Sequence, residues 1–374
     1  MKPKMLICIT SLTGGGAEKS LVNFVQEFES MFEISILVYT EKNNFYGSKL
    51  SHLRIDYFIR KNTPVIIEKI VNKLVKLLPP SFVNRWIIQR SIFKNEKFDY
   101  EFAYIEGKPT KIIAGSSNKD SLKLAYIHCD FSKNWYSKRS FKNFKEELTC
   151  YQKFNSILAV STPQKESFEE IFPKTSLEVI PNLLNVDEIQ NLSKEEIELE
   201  NIPYFCAIGR LELVKNFELL INAFHLFRKK YSQYHLIILG DGSLYDHLKN
   251  QINNLGESQY IKLLGFQSNP YKYIKNSVGL IQSSVSESFS YVLAEAAVLG
   301  IPSISTKTQG SEVMAEYFEV IQVEHTSNEL AKGLEKVIAN NFANVHFNFN
   351  EEAYYKFLEI FKKGSGSFEI RREI

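Results

Sequence analysis

Cysteine is scarce in this chain. Four occur among 374 residues, at Cys8, Cys129, Cys150 and Cys206, and no two stand at Cys-x-x-Cys spacing. That pattern excludes a disulfide framework and reads as buried or incidental thiols in a reducing compartment. A metal-ligand cluster such as His-Glu-x-x-His is missing as well. Charge of one sign is lacking too: 45 Lys and Arg face 43 Asp and Glu, for a net charge of +2. So even a balance makes no case for nucleic acid as the main partner. No apolar run approaches the ~18–20 residues needed to span a membrane. The apolar run in Met1–Thr10 is too short for a signal peptide, and Gly14-Gly15-Gly16 follows it where a cleavage site would stand. A buried first strand is expected there, and the cytoplasm is the expected location. The length is great for one domain and natural for two, with room for a sizeable core.

What is present is alternation. Apolar runs read as strands at Met5–Ile9, Ile34–Tyr39, Tyr100–Tyr104, Lys123–Ile127, Ser156–Val160 and Leu177–Ile180. Helical periodicity lies between them, with Ala17, Leu21, Phe24 and Phe28 on one face. Pro181-Asn182 closes this half, and the acidic stretch Asn191–Glu200 reads as part of a linker. The pattern restarts at Tyr204–Ile208 and continues at His235–Leu239, Ile261–Leu264, Gly279–Ile281, Pro302–Ser305 and Val320–Val323. Strand–helix alternation predicts two α/β domains with parallel, doubly wound sheets. The expected domains are 1–182 and 203–345, with a linker at 183–202. A helix at 346–363 and a flexible tail at 364–374 complete the chain.

The most informative stretch runs from Gln282 to Gly310. It places Glu287 at the carboxyl end of a strand. Glu295 stands about one turn into the next helix, which ends at Gly300 with Pro302 beyond. In open parallel sheets ligands bind at strand carboxyl ends and helix amino ends. Carboxylates there suit a polyhydroxylated ligand, because each accepts two hydroxyl hydrogen bonds. Gly209-Arg210-Leu211-Glu212-Leu213-Val214-Lys215-Asn216 follows the first strand of the second half. Arg210 and Lys215 put two cations at a helix amino end, fit for a diphosphate, and Asn216 is expected to cap the helix. Gly14-Gly15-Gly16 joins the first strand to the first helix and lets backbone amides approach an anion. A P-loop is disfavoured because Glu18 precedes Lys19, and a dinucleotide fingerprint because Lys19 stands where it needs glycine.

Glu-x7-Glu, then Ala296, Gly300 and Pro302, closely resembles the donor-binding segment of retaining glycosyltransferases of family four. The resemblance extends to Gly209-Arg210-Leu211…Lys215-Asn216 and to Gly15-Gly16-Ala17-Glu18, and covers the chain to about Lys362. It implies the GT-B fold, two Rossmann-like domains facing each other across a cleft, with the last helix crossing back to the first domain. It implies sugar transfer from a nucleotide sugar, a UDP-sugar being favoured, to a glycan or lipid-linked glycan acceptor. No metal and no cofactor are expected. Arg210, Lys215, Glu287 and His128 are the implied catalytic set. Gly15, Gly16, Gly209, Gly240, Phe266, Phe289, Ser290, Tyr291 and Glu295 are implied to bind the donor. Asp130 is expected to orient His128 or to meet acceptor hydroxyls. The alternative from another class is a catalytically silent nucleotide-sugar-binding partner in a polysaccharide assembly complex.

One departure from that pattern stands out. The family's Glu-Gly-Phe-Gly is Glu287-Ser288-Phe289-Ser290 here, so the two serines are expected to narrow the sugar pocket or add hydrogen bonds. Pro64–Lys97 is basic and amphipathic. Val65, Ile66, Ile70, Leu74 and Leu77 recur at helical spacing beside Lys69, Lys73 and Lys76, and Arg85, Trp86, Arg90, Lys94 and Lys97 follow. Two readings stay open: peripheral contact with an anionic membrane, or a core-facing helix with a solvated lysine face.

Overall fold

The computed structural model describes residues 2–173, 175, 177–197, 202–339 and 349–364. The chain divides into two compact units, 1–184 with 350–374, and 185–349.

Among the described residues the first unit holds seven parallel strands: β1 Lys4–Ile9, β2 Glu33–Thr40, β3 Arg54–Ile59, β4 Tyr100–Ala103, β5 Leu122–Ile127, β6 Ser156–Ala159 and β7 Leu177–Val179. Their order is β3-β2-β1-β4-β5-β6-β7. Strands covered on both faces need apolar side chains on both, and β1 and β4 are buried almost throughout. β3 sits at the edge. Its Arg54 and Asp56 interrupt the apolar run, so no strand is expected there from the sequence.

One face of this sheet is an aromatic layer built by the Gly16–Phe28 and Phe349–Lys362 helices. Phe24 meets Phe102, Tyr104 and Phe357 edge-on, and Phe28 stacks on Tyr354. Tyr100 Oη donates to the Phe361 carbonyl (2.8 Å). Removing one such buried ring costs about 3–5 kcal/mol, so the last helix is part of this core. The other face packs Val75, Val83, Ile87, Ile112, Ile113, Tyr151 and Phe168.

Among the described residues the second unit holds six parallel strands: β8 Tyr204–Ile208, β9 His235–Leu239, β10 Ile261–Leu263, β11 Gly279–Gln282, β12 Ser303–Thr306 and β13 Val320–Val323. Their order is β10-β9-β8-β11-β12-β13. In both sheets the chain reverses direction of growth once, between β1 and β4 and between β8 and β11. Such switch points open a crevice at the strand carboxyl ends.

The segment expected as linker contains the helix Val186–Leu192, whose Ile189 is buried. Its Asn185 side chain accepts from Glu188 N, a cap that starts this helix within the expected linker. Residues 198–201, the expected boundary near 345, and the tail beyond Gly364 lie outside the described residues.

Candidate active site

Four loops of the second unit converge at the carboxyl ends of β8, β9, β10 and β11. After β8, Gly209 N donates to Leu239 O (3.0 Å) and Leu211 N to Asp241 O (2.9 Å). This laces the Arg210 loop to the turn after β9. Gly240 has φ +137, and a Cβ there would meet Gly209 O at 2.0 Å, so only glycine lets the two backbones pass this closely. Asp241 uses its carboxylate to accept from Phe266 N (3.0 Å), fastening the loop after β10. Phe266 itself is exposed.

The loop after β11 is tied to the Lys215 turn. Val285 N donates to Val214 O (2.8 Å), and Ser283 Oγ to Lys215 O (2.8 Å). The Lys215 stem runs over Gly209, and its ammonium pairs with the Glu287 carboxylate. Ser284 Oγ donates to the same carboxylate oxygen (2.7 Å). Gly310 N donates to Glu287 O (2.8 Å), which fixes the main chain behind it. Arg210 is exposed, and its charge, after the hydrogen bonds from Ser243, helps hold the Glu212 carboxyl below the usual range. Sequence reasoning missed Glu212, Ser243, Ser283 and Ser284, whose roles depend on contacts between distant loops.

The Tyr291–Val298 helix starts beside Glu287. Ser290 caps it, accepting from Leu293 N (3.4 Å), and bonds the buried Gln282 side chain. The Ser290 hydroxyl is therefore hydrogen-bonded within the unit. Phe289 and Tyr291 are buried and meet edge to face, 5.1 Å between centroids. Glu295 is 2 % exposed, with Tyr271 Oη 3.5 Å from its Oε1. Asn216 also departs from expectation. It is left-handed (φ 50) and begins the Phe217–Arg228 helix without a side-chain cap bond.

In the first unit, Gly15 precedes the Gly16–Phe28 helix. Glu18 folds back over this turn, accepting from Thr13 Oγ1 (2.9 Å) and Ser11 Oγ (3.3 Å). A Cβ on Gly15 would lie 2.3 Å from Glu18 Oε2, so the protein's own carboxylate occupies the turn.

His128 follows β5 directly, packed against Tyr126 and Tyr104 at 4.4 and 5.7 Å between centroids. Its Nε2 is buried without a hydrogen-bond partner among the described residues. Burial pushes the imidazole down to about 3, so the ring is neutral at physiological pH. Glu106, buried after β4, accepts from Cys129 N (2.8 Å) and His128 N (3.3 Å) and fixes this strand end. No motif points to Glu106. Asp130 does not orient His128. It accepts from Ser132 N (2.9 Å) and Ser132 Oγ (2.5 Å) and pairs with Lys133.

A depressed histidine pKa has a stability consequence. Between about pH 6.5 and 3 the unfolded chain binds a proton that the folded chain refuses, so stability falls as pH falls through this window. A single group contributes up to about 1.4 kcal/mol per pH unit. His128→Gln is expected to flatten the fall, measured as urea unfolding free energy at pH 7, 5.5 and 4.5. Equal slopes in variant and wild type would show that the ring is protonated in the folded state.

Residues 188–356 match the family described as glycosyl transferases group 1. The match covers somewhat less than half of the chain, nearly all of it in the second unit. An uncharacterized glycosyltransferase of Methanocaldococcus jannaschii is 32% identical over 200 residues, 48% of this chain and 49% of that protein. The match thus spans about half of that relative's length. A second relative, from Campylobacter jejuni, is 25% identical over 90% of this chain and 91% of its own. It is named as the N-acetylgalactosamine-N,N'-diacetylbacillosaminyl-diphospho-undecaprenol 4-alpha-N-acetylgalactosaminyltransferase. Among solved structures, Anabaena HepE in complex with UDP and glucose superposes with a TM-score of 0.72 at 19% identity, covering 96% of this chain and 98% of HepE. Sucrose-phosphate synthase from Thermosynechococcus elongatus does so with a TM-score of 0.73 at 14% identity, covering 97% and 99%. At these identities the likeness shows the fold, which is GT-B, built from two Rossmann-like α/β units.

Proposed function

We propose that this protein is a group 1 glycosyl transferase that moves a sugar from a nucleotide sugar to a glycan acceptor, with retention at the anomeric carbon and without a metal. The observation that carries this reading is the Lys215–Glu287 pair at the β8/β11 switch point, with Arg210 on the same loop as Lys215 and Glu295 about one turn into the helix that follows Glu287. Arg210 and Lys215 offset the charge that grows on the leaving diphosphate. Glu287 orients Lys215 and meets the donor sugar, and Glu295 takes the ribose hydroxyls. His128 offers a neutral imidazole to a sugar hydroxyl. The leaving phosphate oxygen takes the acceptor proton on the face it departs from.

A UDP-sugar is the proposed donor, supported by the UDP-bound HepE complex. The proposed acceptor is a lipid-linked or cell-surface glycan, supported by the diphospho-undecaprenol substrate in the Campylobacter relative's name. A thermal-shift series over UDP-, GDP- and ADP-sugars tests the donor, because ligands that bind the native state raise its midpoint. The UDP-sugars are expected to shift it most. Nucleotide release from the best donor is then expected to persist in excess EDTA, since protein cations face the diphosphate. Activity abolished by EDTA and restored by magnesium or manganese would overturn the metal-free mechanism. Donor binding with neither transfer nor release would leave a binding protein instead.

A further inference from the structure

The Val65–Leu77 helix of the first unit is built inside out. A surface helix normally turns its apolar stripe inward and its polar residues to water. Here the inward side is pinned by polar groups. Glu68 pairs with Lys42. Asn72 Oδ1 accepts from Tyr39 Oη and from Lys108 Nζ, each at 2.8 Å. The fully buried Lys111 donates to the Lys76 carbonyl (2.9 Å), which fixes the last turn. Val75 is the one fully buried side chain of the helix.

The apolar stripe faces out. Ile66 is 73% exposed, Ile70 53%, Ile67 50%, Leu77 49% and Leu74 40%. At 3.6 residues per turn these five fall within an arc of about 100°. Lys69, Lys73 and Lys76 lie along one border of that arc, and all three are exposed. The surrounding segment 61–97 carries eight Lys and Arg against two Glu. Both glutamates are already paired, Glu68 with Lys42 and Glu96 with Arg54. So the free charge beside the stripe is cationic, in a chain whose net charge is only +2. Among the described residues no helix is long and apolar enough to cross a membrane.

We infer that the outer face of the Val65–Leu77 helix docks on an anionic lipid leaflet. Ile66, Ile67, Ile70, Leu74 and Leu77 enter the headgroup–acyl boundary, and Lys69, Lys73 and Lys76 contact lipid phosphates. The cationic border selects lipid over a second copy of this chain, whose identical face would set lysine against lysine. Of the two openings the sequence left for this segment, the core-facing helix is excluded by the exposure of the stripe. The docking face stands whether or not the chain transfers sugar, because its test needs no donor.

The test is co-sedimentation of the full chain with vesicles of pure phosphatidylcholine, or of phosphatidylcholine with one third phosphatidylglycerol. Each cation near an anionic surface adds about five-fold in affinity, so three add on the order of 100-fold. The mixed vesicles are expected to bind at least ten-fold more protein. Binding is expected to weaken in high salt, where exposed charges are screened within a few ångströms. Two variants separate the contributions: Ile66→Ser with Ile70→Ser and Leu74→Ser, and Lys69→Gln with Lys73→Gln and Lys76→Gln. All six positions are exposed, so both variants are expected to keep the wild-type melting midpoint. Each is expected to lose ten-fold or more in vesicle binding. Unchanged binding in the serine variant would overturn the proposal. So would a lipid-free dimer in sedimentation that the serine variant converts to monomer, since a second copy would then cover the face.

Discussion

Lys215→Ala and Arg210→Ala are each expected to lower turnover about 100-fold while the melting midpoint barely moves. The two magnitudes come from different environments. In the free protein Arg210 is exposed and the Lys215–Glu287 pair is partly open to water, and such ion pairs contribute about 0–1 kcal/mol to stability. Glu287 keeps a hydrogen bond from Ser284 (2.7 Å) after Lys215 is truncated, so no carboxylate is left buried and unpartnered. Against the charge developing on a leaving diphosphate, a positioned cation is worth roughly 2.7 kcal/mol, the free energy of a 100-fold rate change. The loss should therefore fall on the rate constant at saturating donor. Turnover within a few-fold of wild type in both variants would remove this loop from the reaction.

The strands are legible in the sequence for a physical reason. A parallel strand covered on both faces reads as an unbroken apolar run, as in β1 and β9. β3 is not legible, because an edge strand tolerates Arg54 and Asp56. Glu287, Glu295, Arg210 and Lys215 are legible because each stands at a fixed offset from a strand end. The reasons for two glycines are not. Gly240 is required by a backbone from another loop, and Gly15 leaves the space into which the Glu18 carboxylate folds back. Nor does periodicity tell which face of a helix turns inward. The Val65–Leu77 pattern fits a buried stripe as well as an exposed one. Tyr39, Lys108 and Lys111, supplied by distant parts of the chain, turn its polar side in.

Glu295→Ala is expected to weaken binding of free nucleoside diphosphate roughly 10- to 100-fold, because hydrogen bonds to a charged group contribute about 1.5–3 kcal/mol each. The side chain is 2 % exposed and held on a helix capped by Ser290, so its position does not depend on loop closure. A carboxylate there can accept from both ribose hydroxyls. Glu295→Gln keeps the shape and one acceptor oxygen, and should lie between alanine and wild type. Calorimetry with UDP and with 2′-deoxy-UDP separates a ribose contact from general damage. If Glu295 holds the ribose, wild type prefers UDP and the alanine variant binds the two nucleotides equally. Loss of the deoxy penalty is the signature, since a helix merely loosened by the substitution would weaken both ligands and keep their ratio. An alanine variant that still prefers UDP by the wild-type factor would move the ribose contact to another residue.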